Sequence, residues 1–143
     1  PVIECALVAA RSLQDMLLQS HGGIIRVFPA IPDVWKDAVI RDLRAEGAFL
    51  VTARRTNGKT AWVKLQSLAG EPCIIRANFA TTPTALGKRA FTLKSLGKTT
   101  WQIDLRKGET VILTTQPKGP FIVAPLPADA KQCNFYGLNS NGK

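Results

Sequence analysis

Beyond Gly23 the chain is cut into short β-favouring runs, "IIRVFP", "AVIRDLR", "AFLVTARR", "TAWVKLQSL", "CIIRANF", "AFTLKSL", "TWQIDL" and "TVILTT", each bounded by glycine, proline or polar turn residues. Recurrence at roughly ten residues is the cadence of an antiparallel sandwich, and no other feature narrows the choice of fold as much. Pro29, Pro32, Pro83, Pro117, Pro120, Pro125 and Pro127 fall between runs or at their ends, where a missing N–H does no harm. The expectation is a mainly β protein, an antiparallel β-sandwich carrying one N-terminal α-helix. Its expected core is Phe49, Val51, Val63, Leu65, Trp101, Ile103 and Leu113, with Leu105 also inward and Gln102 and Asp104 outward.

The stretch "RRTNGKT" sets the clearest register. A two-residue Asn57-Gly58 loop pairs Ala53 with Trp62 and puts Phe49 and Val51 on one face with Lys64 and Gln66. A three-residue loop, Thr56-Asn57-Gly58, pairs Ala53 with Ala61, Val51 with Val63 and Phe49 with Leu65, and gives Gly58 the left-handed position. The second makes a single apolar face and is the register expected. It leaves Trp62 on the outer face beside Thr52, Arg54 and Lys64. Further on, "DLRKGET" reads as a turn in which Gly108 bends the chain into the last run.

From Glu4 to Ser20, Leu7, Val8, Leu13, Met16 and Leu17 recur at helical spacing, and "HGG" ends the helix because glycine accepts a left-handed conformation. The helix is apolar on more than one stripe, so it wants more partners than a sheet supplies. Self-association through it is expected. The proline-rich stretch from Pro117 is expected to wrap the sandwich surface and to fray at Asn139 to Lys143.

Composition narrows the function classes. The 143 residues suffice for one domain with a real core. A formal charge of +9 raises nucleic-acid binding, yet Arg41, Arg44, Arg54, Arg55, Lys59, Lys64, Arg76, Lys88, Arg89, Lys94, Lys98, Arg106 and Lys107 are scattered, and they do not interleave with aromatics. A solvated basic face is expected, with no nucleic-acid partner. No apolar run approaches the roughly 20 residues of a membrane helix, and no membrane partner is expected. Cys5, Cys73 and Cys133 form no metal-binding spacing and read as buried small apolar residues, and with His21 as the only histidine neither a metal nor another cofactor is expected.

"MLLQSHGG", "IRVFPAIP" followed by a tryptophan, "LRAEGAFLV" and "IDLRKGETVIL" occur in this order between Leu13 and Leu113. Together they resemble the end of the catalytic barrel and the start of the C-terminal β domain in glycoside hydrolase family 95, the family of α-L-fucosidases and related exo-glycosidases. "LRAEGAFLV" stands in place of that family's arginine-alanine-glycine-phenylalanine run. The resemblance implies that residues 1–23 are the terminal helix segment of an (α/α)6 barrel and residues 24–143 the C-terminal β-sandwich. The partner it implies is an upstream catalytic barrel of the same polypeptide, acting on a glycan outside the cytoplasm, in the periplasm or after secretion.

Counting back without gaps from "MLLQSH" sets Glu4 on the family's active-site aspartate and Cys5 to Leu7 on its glycine-asparagine-aromatic run. Glutamate keeps the charge but moves the carboxyl outward by about 1.5 Å. The bland alternative is that Glu4 only favours the helix N-terminus electrostatically. His21 is the candidate for a sugar hydroxyl in the assembled barrel, or else for the last helical carbonyls. Trp62 is a candidate sugar platform, as are Trp35 and Tyr136 in an alternative reading as a carbohydrate-binding module. The chain alone is expected to be inactive, because hydrolysis needs an acid and a second group facing each other across a pocket. Asp42, Asp104 and Glu109 are expected on outward positions or turns with ordinary pKa values.

Overall fold

The computed structural model describes residues 3–116 and 119–126, so Cys133, Tyr136 and the stretch from Asn139 to Lys143 lie outside it. Helix α1 spans Ile3–Leu17 and ends three residues before the expected Ser20. The reason is tertiary. Leu18–Gln19 (β1) pairs antiparallel with Ile25–Val27 (β2), Leu18 opposite Val27 and Gln19 opposite Arg26. Burial of Leu18 in that pair overrides the helical pattern. The backbone amides of Phe28 and Ala30 then donate to the helix-end carbonyls of Leu17 and Met16, at 2.8 and 3.2 Å. Gly22 and Gly23, at φ 70° and 72°, make the reversal between the two strands.

Two five-stranded sheets follow. The first is ordered β1, β2, β6 (Pro72–Arg76), β9 (Thr100–Asp104) and β8 (Lys94–Gly97). The second is ordered β3 (Ala38–Ala45), β4 (Phe49–Thr56), β5 (Lys59–Ser67), β10 (Thr110–Thr114) and β7 (Thr84–Gly87). All pairs are antiparallel except β2 with β6, where Ile25 faces Ile75 and Arg26 faces Arg76. Between those two strands the chain builds three strands of the opposite sheet, so it returns to β2 by a crossover and not by a hairpin. Strand β7 falls outside the runs expected from the sequence. It forms by pairing with β10, Ala85 opposite Leu113. Of "AFTLKSL" only its second half is strand, at an exposed edge.

The hairpin departs from the expected register while keeping its apolar face. The turn has two residues, Asn57 and Gly58, both at positive φ (51° and 78°), with Thr56 opposite Lys59. A bulge at Ala61 then shifts the pairing, so that Ala53 meets Val63, Val51 meets Leu65 and Phe49 meets Ser67. The extra residue sits in the strand and not in the loop. Without the bulge, the period-two alternation would turn Val63 and Leu65 away from the core. A second irregularity, between Ile40 and Leu43 in β3, carries Asp42 at φ 50°. There the buried Thr52 hydroxyl donates to Asp42 Oδ1 at 2.9 Å and accepts from the Asp42 amide at 3.1 Å.

One apolar cluster fills the space between the sheets, and Val51, Val63, Leu65, Ile75, Val111 and Leu113 are wholly inaccessible within it. Every residue expected in the core is buried, as is Leu105. Cys73 is part of the cluster, and burial pushes its thiol up to about 12. Cys5 is exposed on α1, contrary to expectation.

The turn from β9 to β10 passes from one sheet to the other and is clipped electrostatically. Arg89 forks onto Glu109 through Nε and Nη2, at 2.8 and 2.9 Å, while the Arg106 amide donates to the same carboxylate. These contacts, Arg89 first, hold the Glu109 carboxyl down at about 2, in place of the ordinary value expected from the sequence.

Leu65→Ala should cost about 2–5 kcal/mol in denaturant unfolding, because neighbours packed at this density collapse only partly into the space left. The Glu109 clip has its own signature. An unfolded chain takes up the proton near 4.5 while the folded one holds out to about 2, so this stabilisation is complete above the unfolded value and is lost as pH falls toward the folded one. Melting temperatures of the native chain and of Glu109→Gln should therefore converge as pH is lowered through that window.

Candidate functional site

Glu4, His21 and Trp62 occupy three separate places. Glu4 lies on the first turn of α1, exposed, where its charge also complements the helix N-terminus. The helix rises 1.5 Å per residue, so Glu4 stands about 20 Å along its axis from the end where His21 sits. His21 is exposed at the glycine turn, and its backbone carbonyl accepts from Arg26 Nη1 at 2.8 Å. A side chain other than His21 takes a carbonyl at the helix end: Gln19 Nε2 donates to the Asp15 carbonyl at 2.9 Å.

Trp62 projects from the outer face of the second sheet, as expected, yet it is only 3% exposed. Phe121, from the proline-rich segment, packs edge-on against it with ring centroids 5.9 Å apart. Sugar stacking needs an open ring face, so Trp62 could offer one only with that segment moved away. Trp35 is 41% exposed on the loop before β3, and its carbonyl accepts from Arg55 Nε at 3.3 Å.

At the foot of α1 a cavity of about 460 Å³ is lined by Arg11, Asp15, Ser20, His21, Arg44 and Glu46, among others. The Arg11–Asp15 pair, 3.1 Å apart, spans one helical turn. The Glu46 amide donates to Ser20 Oγ at 3.0 Å and ties the glycine turn to the β3–β4 turn. The cavity is polar and mixed in charge. It contains the one histidine but not Glu4.

Nor do Asp42 and Glu109 form an acid and base pair. A general acid for leaving-group protonation needs a raised pKa, and Asp42 and Glu109 are both lowered. Asp42 is pulled down by the Thr52 hydroxyl first and then by Lys64 and Arg41, although desolvation opposes them. Glu109 is held by Arg89. Asp42 and Glu109 are each paired with a cation. Among the described residues no group of three or more His, Cys, Asp or Glu could hold a metal ion, and no helix is long and apolar enough to cross a membrane.

The described residues form a two-sheet β domain that carries one N-terminal helix. The family model for the glycoside hydrolase family 95 C-terminal domain matches residues 19–113, and the chain belongs to that family. No curated protein matches the chain.

Sequence reasoning did not foresee Phe121 as the cover of Trp62 or Arg89 as the clamp on Glu109. The first had a signal in "GPFIVAP", an aromatic residue within a proline-rich stretch that follows a sheet with an outward tryptophan. The second had none, since Arg89 and Glu109 are joined only by the passage of the chain between sheets.

In a Trp35→Phe background, Phe121→Ala should red-shift tryptophan emission and speed acrylamide quenching, because Trp62 loses its cover while Trp101 stays in the core. An unchanged spectrum would mean that the segment does not cover Trp62 in solution.

Proposed function

We propose that this chain is the C-terminal portion of an α-L-fucosidase-type exo-glycosidase, in which the sandwich buttresses an upstream (α/α)6 barrel and does no chemistry alone. Family membership supplies the setting, and the helix carries the reading. No residue of α1 is buried, and Ile3, Leu7, Val8 and Leu13 are 45–71% exposed. A helix that presents such residues to water lacks the surface it was made to meet. In the intact enzyme that surface is the neighbouring barrel helices, and Glu4, near the start of α1, is the carboxylate that reaches the glycosidic bond. His21 then faces the barrel from the domain boundary. The compartment is the periplasm or the exterior, where glycans of this kind are met.

The 143-residue chain should show no turnover of an aryl α-L-fucoside or an aryl β-galactoside, whereas the protein extended upstream should hydrolyse one of them. In the extended protein Glu4→Gln should lower kcat by about 10²–10⁴, the range for loss of a general acid or base. Undiminished activity would remove Glu4 from the mechanism. Saturable binding of fucosylated or galactosylated oligosaccharides by the isolated chain, followed by tryptophan fluorescence, would favour a carbohydrate-binding module over the buttress.

The same apolar stripe governs the isolated chain. Sedimentation should show self-association that is abolished by Leu7→Ser together with Val8→Ser. A clean monomer before substitution would show that the stripe is covered within one molecule.

A further inference from the structure

The outer face of the second sheet carries more than Trp62. Arg54 on β4 is its register partner, and two residues along β5 on the same face is Lys64, whose own partner is Thr52. The carboxylate of Asp42 reaches this corner of the sheet. Its Oδ1 accepts from the Thr52 hydroxyl at 2.9 Å and lies 3.8 Å from Lys64 Nζ, while Arg41 Nε stands 3.5 Å from Oδ2. Asp42 takes φ 50° to get there, a left-handed conformation that aspartate tolerates because its short polar side chain can bond locally. An indole, a carboxylate and two basic side chains thus share a patch of about 7 Å by 5 Å, set by two residues along a strand and the gap between strands. Arg54 is half-buried and enters none of the ion pairs among the described residues.

The indole is closed off by a strap, residues 119–126. Among the described residues no hydrogen bond ties that strap to either sheet. Its anchor is Phe121, half-buried and edge-on to Trp62 at 5.9 Å, while the next residue, Ile122, is 64% exposed. A Cβ at Gly119 would lie 3.0 Å from the Phe121 amide nitrogen and 3.1 Å from its ring, so it is the glycine that lets the ring fold back over the indole. A segment held by one aromatic side chain opens without breaking any of the hydrogen bonds that hold the sheets.

We propose that this patch is a latent binding site for a neutral sugar ring, closed by Phe121 and opened when the strap lifts. With the strap away, the indole receives the apolar C–H face of one pyranose, Lys64 and Arg54 donate to its hydroxyls, and Asp42 accepts from one of them. An aromatic surface with a few placed polar groups is what fixes and orients a small ligand. The mixed charge selects a neutral ring, because an anionic sugar would meet Asp42 and a cationic one would meet Arg54 and Lys64. The site is independent of the glycosidase reading, since neither Glu4 nor α1 takes part in it, and turnover by the upstream-extended protein is blind to its failure.

Isothermal titration of the full chain with cellotetraose, a neutral β-linked glucose oligomer with an apolar face on each ring, tests the proposal. Phe121→Ala should bind it about tenfold more tightly than the native chain or better, because apparent affinity scales with the fraction of molecules whose site is open. Gly119→Ala, which crowds the Phe121 ring, should shift Kd in the same direction. In the Phe121→Ala background Trp62→Ala should abolish binding. Asp42→Asn, which removes the charge and keeps the shape, should raise Kd about fivefold or more, while Arg76→Gln, on the other sheet, should leave it unchanged. Equal affinity in the native chain and Phe121→Ala would overturn the gating by the strap. Absence of saturable binding by Phe121→Ala would overturn the site, and so would tighter binding of N-acetyl-phenylalaninamide than of the tetraose, which would make an aromatic peptide the occupant.

Discussion

Val51, Val63, Leu65, Val111 and Leu113 from one sheet and Ile25, Cys73, Ile75, Trp101 and Ile103 from the other close on one another to form the single apolar layer on which the rest of the structure depends. Strand alternation supplies it, one side chain in two, and so each pairing register must keep parity with that layer. The bulge at Ala61 follows from this constraint. A tight Asn57-Gly58 turn and an apolar face on both strands are incompatible without one extra residue, and the strand absorbs it. Leu18 shows the same constraint acting on the helix, whose pattern continues past Leu17 while the chain leaves it to put Leu18 into the first sheet, facing the core.

Polar groups are placed around that layer with little waste. The Thr52 hydroxyl meets Asp42 at the β3 irregularity, and the Ser67 hydroxyl accepts from the Gly70 amide. The turn between sheets is held by the fork of Arg89 on Glu109, with Arg89 also lying over the Phe91 ring at 4.3 Å. The chain has 19 basic residues to 10 acidic ones, and among the described residues most cations have no such partner. Among the described residues only Arg55 of these cations is buried, and the others are exposed or half-buried, as the scatter of basic residues along the chain suggests.

The candidate site was legible only as a set of residue types. Glu4 was found through a motif resemblance and not through any property of its surroundings, and in the fold it lies exposed on the first turn of α1. Trp62 was assigned correctly to the outer face, since alternation decides that much. Its cover was not legible, because Phe121 reaches it from a segment whose path no period describes. The ordinary pKa expected of Glu109 failed for a similar reason. Its position on a turn could be read, but Arg89, twenty residues away in the chain, could not be placed beside it.

The sequence by itself determined the class of fold, the helix, most of the strands and the inward residues of the core, because these follow from local periodicity and turn chemistry, which act over a few residues at a time. It also carried the family, through short motifs in a fixed order. Only the tertiary structure decided that the helix stops at Leu17, that β2 and β6 run parallel, that a bulge and not a longer loop sets the hairpin, and that Arg89 meets Glu109. Each of these depends on which distant segments come to lie side by side. That is settled by burying two whole sheets against each other, a balance no short stretch of the chain contains.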